Sequence, residues 1–180
     1  MKRFFTTFAP AFALLCITAC SGARQPLFTA NPLGVGPVLL TMSSAQIPAS
    51  HPGLYDAFTT ERTPEGYTLL HFTQDGATVM EARAYDDEIE SIEILGTGVG
   101  SMEGIAPGTE VKQLFKNGGI SQTDNDGQLV ITLNGMAYRA SGLNEQGREK
   151  LEKAYAGGAT PQITVRDFEP GARVTSILIN

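Results

Sequence analysis

The sequence predicts an α+β fold: a single domain, mainly an antiparallel β-sheet, with two α-helices packed on one face. Three observations carry this. Short runs of alternating apolar residues recur along the chain, separated by Asp-Gly, Asn-Gly and Pro-Gly turns. Two other stretches place their apolar residues at helical spacing. The chain has 180 residues, 42% hydrophobic and 18% charged, which is enough for one core and too apolar for global disorder.

The elements follow in order. Val35 to Met42 is a first strand, with Pro37 placing it at an edge or delaying its start. Ile47 to Phe58 is ambiguous: Leu54 and Phe58 have helical spacing, and Ser50 could cap a short helix near Pro52. Thr59 to Arg62 is a short strand, and Thr63-Pro64-Glu65-Gly66 is a turn. Tyr67 to Gln74 puts Leu70 and Phe72 on one face, and Asp75-Gly76 turns it back into Ala77 to Tyr85. In that return strand Met80, Ala82 and Ala84 share a face. Asp86-Asp87-Glu88 leads to Ile89 to Leu95, where Ile92 and Ile94 face one way.

A glycine-rich stretch follows, with Gly96, Gly98, Gly100 and Gly104 around Ser101. It reads as a flexible connection whose glycines permit positive φ. Thr109 is then a candidate cap for a helix with Val111, Leu114 and Phe115 as its stripe, ended at Asn117-Gly118-Gly119. Asp124 to Gly127 turns into Gln128 to Leu133, and Asn134-Gly135 sends the chain back through Met136 to Ala140. The clearest helix runs from Asn144 as cap to Ala156, with Leu151, Ala154 and Tyr155 on its apolar face. Gln162 to Arg166 and Arg173 to Ile179 are closing strands around a Pro170-Gly171 turn. The last has apolar residues on both faces, which suits a central position.

The amino terminus carries a different signal. Met1-Lys2-Arg3 is basic, and Phe4 to Thr18 is uncharged and mostly apolar. That is a signal-peptide core, too short to span a bilayer comfortably. It ends in Ile17-Thr18-Ala19-Cys20, which resembles the bacterial lipobox. The resemblance implies cleavage after residue 19 and lipidation of Cys20. The alternative is an ordinary secretory signal with a chance cysteine. Residues 1–19 are thus a lipoprotein signal peptide, 20–34 a lipidated cysteine with a flexible tether, and 35–180 a periplasmic domain. Acyl chains anchor a protein without making it span the membrane. Ser21, where inner-membrane lipoproteins carry Asp, implies the outer membrane of a Gram-negative cell, facing the periplasm.

Maturation also changes the charge. The formal charge is −6, from 13 basic and 19 acidic residues, and loss of Lys2 and Arg3 takes it to −8. Nucleic acid is therefore a poor partner, since phosphates call for a basic surface. Cys16 leaves with the signal, and an acylated Cys20 has no thiol, so no structural disulfide can form.

No motif for chemistry emerges. His51 and His71 lack ligand-spaced partners, and no metal or cofactor is expected. Gly100-Ser101-Met102 is not a nucleophile elbow. The glycines at 96–104 are out of phase with a dinucleotide-binding loop. Asp124 to Gly127 resembles half an EF-hand loop, but Gln122 and Leu133 occupy its first and twelfth positions. The acidic run Asp86, Asp87, Glu88, Glu90 and Glu93 reads as a solvated face.

The run Glu90-Ser91-Ile92-Glu93-Ile94-Leu95, a glycine-containing gap, then Gly104-Ile105-Ala106-Pro107-Gly108-Thr109 and the helix with Phe115, resembles the RpoE-regulated lipoprotein family of bacterial envelopes. The similarity extends loosely to Gly34-Val35-Gly36 and to Val174-Thr175-Ser176-Ile177. It implies an α+β envelope lipoprotein of unknown function and supplies no catalytic residues.

The expectation is a non-enzymatic outer-membrane lipoprotein, held to the membrane by its lipid. It would act by contact with an envelope protein in envelope maintenance or stress response. The candidate interaction loop is Gly96, Gly98, Gly100, Ser101 and Gly104, beside the sheet face free of helices. One alternative is a binder of glycan or lipid, with Tyr67, Phe72, Tyr85 and Tyr138 lining a pocket. Another is an inhibitor of an envelope enzyme, inserting an exposed loop.

Overall fold

A computed structural model describes residues 27–124 and 127–180. The signal peptide, Cys20 and residues 21–26 lie outside the described residues, as do Asn125 and Asp126. The strands are β1 (Phe28–Asn31), β2 (Gly34–Val35), β3 (Val38–Leu39), β4 (Ala57–Arg62), β5 (Thr68–Gln74), β6 (Ala77–Tyr85), β7 (Glu88–Ile94), β8 (Val99–Ser101), β9 (Ile120–Thr123), β10 (Leu129–Leu133), β11 (Met136–Ala140) and β12 (Val174–Ile179). The helices are α1 (Val111–Lys116) and α2 (Glu145–Gly157), with short 3-10 turns at Ser44–Gln46 and Val165–Asp167.

Two sheets form. The larger has eight antiparallel strands in the order β4-β5-β6-β7-β12-β11-β10-β9. The smaller has the order β3-β2-β1-β8, and its β1–β8 ladder is parallel. The α+β expectation of one sheet with two helices on one face is therefore corrected to a β-rich, two-sheet fold with two short helices. The core lies between the sheets. Leu70, Phe72, Met80, Ile92, Ile94 and Ile177 of the large sheet pack in one cluster with Ala30, Val35, Val38 and Val99 of the small one. Both helices touch the 3-10 turn at Val165–Asp167 but bury different amounts. Val111 and Leu114 insert α1 into the core, whereas α2 buries only Gly147 and Ala154 and docks on the 3-10 turn at Val165–Asp167.

Alternation explains the long strands. The residues read as inward at Leu70 and Phe72, at Met80, Ala82 and Ala84, and at Ile92 and Ile94 are all buried. Their turns are what the dipeptides demand. Asp75-Gly76, Asp86-Asp87 and Asn134-Gly135 all have positive φ, the signature of a two-residue turn that matches strand twist. β12 is central, between β7 and β11, as its two apolar faces suggested. A register shift opposite Arg139 and Ala140 brings Val174 into the core, although strict alternation puts it opposite Ile177.

Local pattern misleads elsewhere. The strand read over Val35 to Met42 is a tight hairpin, β2 and β3, bent at Gly36 and Pro37. Residues 28–31, read as tether, form β1. Gln162 to Arg166 forms no strand; Thr164 and Asp167 instead make a reciprocal capping box on a 3-10 turn. No helix is capped by Ser50; Ser43 caps the turn that forms, at Ser44–Gln46. Glu110, not Thr109, holds the cap position of α1, and the Thr109 hydroxyl accepts from the Ala106 N–H. Asn144 does cap α2, accepting from the Gly147 N–H at 2.9 Å.

Candidate functional site

The glycine-rich segment is not a free loop. Gly98 offers its carbonyl to the Leu27 and Phe28 N–H groups at 2.8 and 3.1 Å. Val99, Gly100 and Ser101 form β8 in register with Phe28, Thr29 and Ala30, and all three are buried. Gly96 is closed in as well: a Cβ there would sit 3.0 Å from that of Val79. Thr97 before the strand and Met102 and Gly104 beyond it are exposed. Of the candidate interaction loop, Gly100 and Ser101 thus lie in a buried strand, and Gly96, Gly98 and Gly104 flank it. Its glycines allow close packing, and Ser101 stabilises the tip by accepting from the Glu103 and Ile105 N–H groups.

A polar cluster lies beneath that tip. The Asn134 amide donates to Glu103, and Tyr138 stands fully buried beside it. Burial pushes the Glu103 carboxyl up, but hydrogen bonds from Ser101 and Asn134 outweigh it and hold the carboxyl below its ordinary value. Burial raises the Tyr138 phenol. These groups fasten the β10–β11 turn to the tip after β8.

The larger open feature is the outer face of the eight-stranded sheet. Alternation sends His71, Glu81 and Glu93 outward in one cross-strand row, continued by Leu178 and Ala137. Leu69, Arg83 and Ser91 form the next. A groove of about 660 Å³ runs over them towards Asp124 and Arg139. At that end the Arg139 guanidinium donates to Glu93 Oε1 at 3.0 Å and to Asp124 Oδ2 at 3.2 Å. The Ser176 hydroxyl donates to the same Glu93 oxygen at 2.6 Å. Burial works to lower the Arg139 pKa, but Asp124 and Glu93 outweigh it and raise it. The result is a permanent positive charge clamped between two carboxylates.

The other end is aromatic. Tyr67 and Tyr85 meet with ring centres 5.3 Å apart and planes tilted by 53°, and Arg83 lies over the Tyr67 ring at 4.7 Å. Arg83 Nε also reaches Glu90 at 4.0 Å. Beside this, His71 Nδ1 meets Glu81 at 3.0 Å. The four aromatics expected to share a pocket are split by the sheet: Tyr67 and Tyr85 stand outside, whereas Phe72 and Tyr138 are in the core. The acidic run divides too. Asp87 accepts from the Ser43 and Ser44 hydroxyls, which hold its carboxyl below the ordinary value, while Glu93 belongs to the groove. The sequence does not reveal Arg139 and Ser176 as partners of Glu93, or Asp124 as the second carboxylate on Arg139, because they come from three separate segments.

Among the described residues no group of three or more His, Cys, Asp or Glu could hold a metal ion. No described helix is long and apolar enough to cross a membrane.

Fold and face together define a β-rich domain with one open, polar sheet face. No family model matches the chain, and no curated protein matches it. Among solved structures it is similar to the uncharacterized protein YfeY from Escherichia coli, with a TM-score of 0.56 and 14% identity. The match covers 84% of this chain and 99% of that one, so the likeness concerns the whole fold.

Proposed function

We propose that this chain is a lipid-anchored protein of the bacterial outer membrane that contacts an envelope protein through the open face of its eight-stranded sheet. The action is binding rather than chemistry, in envelope maintenance or stress response. One observation carries the choice of surface: the groove on the outer face of the large sheet that ends at Glu93, Arg139 and Asp124. Carboxylates outnumber guanidinium groups along it, with Glu81, Glu90, Glu93 and Asp124 against Arg83 and Arg139, so the partner surface is basic. The lipobox at Cys20 supports the anchor. The resemblance to RpoE-regulated lipoproteins, and the likeness to a bacterial protein that is itself uncharacterized, are in keeping with it.

Photo-crosslinking in intact cells tests this, with probes at Ser91 and Leu178 in the groove and at Gly98 just before β8. A single envelope protein captured from the groove positions alone is the expected result. Equal capture from all three would remove the groove as the specific surface. A second reading rests on the Tyr67–Tyr85 pair with Arg83, a platform on which a sugar ring could stack. A rise in melting temperature with soluble cell-wall glycan fragments, lost in Tyr67→Ala, would favour it.

A further inference from the structure

The small sheet has its own outer face, on which Thr29, Asn31 and Leu39 are exposed while Gly34 and Gly100 are buried. Its inward residues are Ala30, Val35, Val38 and Val99. The register places Thr29 beside Gly100 and Asn31 beside Gly34, with Leu39 next in that row. The two glycines add no side chain to that row. At its margins Leu27, Leu33 and Met102 stand 79%, 70% and 82% exposed, and Leu39 is 42% exposed. None of these residues is charged, on a chain whose formal charge is −6. The opposite face, on the large sheet, carries Glu81, Arg83, Glu93 and Arg139.

The chain outside the described residues decides what can lie against this face. Leu27 is the first described residue and precedes β1 of this same sheet. Six residues, Ser21 to Pro26, separate it from Cys20. Fully extended, seven Cα steps span at most ~25 Å. A lipid on Cys20 thus keeps β1 within that distance of the bilayer. An acidic domain held so close to anionic headgroups is repelled wherever carboxylates face them. The small-sheet face is uncharged and carries protruding leucines and a methionine, which can enter the apolar boundary of the interface.

We infer that the outer face of the small sheet rests on the lipid surface, with Leu27, Leu33, Leu39 and Met102 at the headgroup boundary. This rests on the lipidation of Cys20. It also turns the groove of the large sheet away from the membrane, toward the periplasm.

The chain contains no Trp, so single substitutions give clean fluorescence probes. Full-length lipidated Leu33→Trp, Met102→Trp and Ser91→Trp would be placed on phosphatidylethanolamine–phosphatidylglycerol vesicles, with and without bromine on the acyl chains. The mass of the N-terminal peptide and vesicle flotation come first. The expected result is strong quenching of Trp at 33 and 102, roughly halving the emission, with little at 91. Flotation with no more quenching at 33 and 102 than at 91 would overturn the membrane contact while leaving the anchor intact. Unquenched probes whose emission shifts blue with rising protein density would overturn it in favour of a second copy of the chain. An N-terminal peptide without acyl mass, in a protein that does not float, would sink the anchor and this inference with it.

Discussion

Phe28 lies in register with Val99 across a parallel ladder, with its N–H bonded to the carbonyl of Gly98 at 3.1 Å. This pairing binds a segment near the amino terminus to a glycine-rich segment seventy residues further on. Parallel neighbours need a long crossover, and here β4 to β7, four of the eight strands of the large sheet, lie within it.

The first prediction follows. A soluble chain starting at Val35, the boundary that local signals suggest, loses β1 and leaves β8 unpaired. It should be less stable than one starting at Pro26 by about 2–4 kcal/mol, through lost burial of Ala30 and Phe28 and lost ladder bonds. Urea unfolding of the two chains measures the difference; equal midpoints would show that β1 contributes nothing.

The groove makes a second prediction. Arg139→Ala leaves Glu93 and Asp124 without the cation between them and should cost about 2–4 kcal/mol at neutral pH. Adding Glu93→Gln and Asp124→Asn should recover part of that loss, because the uncompensated charges are then gone. A triple variant no better than the single one would mean that packing of the Arg139 stem, not charge, sets the cost.

Asp167 gives a pH prediction. Its side chain is fully buried, and both carboxylate oxygens accept from Lys150, at 2.7 and 2.9 Å. Burial raises its pKa, but Lys150 and the Thr164 N–H and hydroxyl outweigh that and hold it below the ordinary 3.8. A depressed folded-state pKa stabilises the fold above the unfolded value, and the contribution fades as pH falls through the folded one. The stability gap between wild type and Asp167→Asn should be constant near neutral pH and shrink below about pH 4. A gap independent of pH down to acid unfolding would refute the charge argument.

Two glycines of α2 should behave oppositely. A Cβ on Gly147 would lie 2.3 Å from the Asp167 carbonyl oxygen, whereas one on Gly157 meets nothing within 4 Å. Gly147→Ala should destabilise by about 2 kcal/mol or more, by forcing α2 off its 3-10 turn. Gly157→Ala should be neutral or stabilise by up to about 1 kcal/mol, through helix propensity. Thermal melts of both variants decide it.

The expectations that held rest on short-range physics. Dipeptides such as Asp75-Gly76 and Asn134-Gly135 can take positive φ, so the hairpins they join were legible. Alternation assigned the inward faces of β5, β6 and β7, and the cap at Asn144 marked the start of α2. The misses rest on long-range pairing. β1, β2, β3 and β8 have two to four residues each, too few to show a period. The strand read at Gln162 to Arg166 lost to a capping box, because Asp167 satisfies the Thr164 N–H locally. The groove was half visible: Glu93 belonged to a recognisable acidic run, but nothing local ties it to Arg139 or Ser176.

By itself, the sequence determined the hairpins of the large sheet, the central place of the last strand, the second helix, and an acidic chain that disfavours nucleic acid. Each of these depends on neighbours within a few residues or on a sum over the whole chain. Only the tertiary structure decided that the glycine-rich segment is a strand and that the assumed tether begins a second sheet. It alone placed Glu93, Asp124, Arg139 and Ser176 side by side on the open face. Those outcomes depend on backbone groups and charges that meet across 15 to 83 residues of chain, where each is stabilised only once the other is in place.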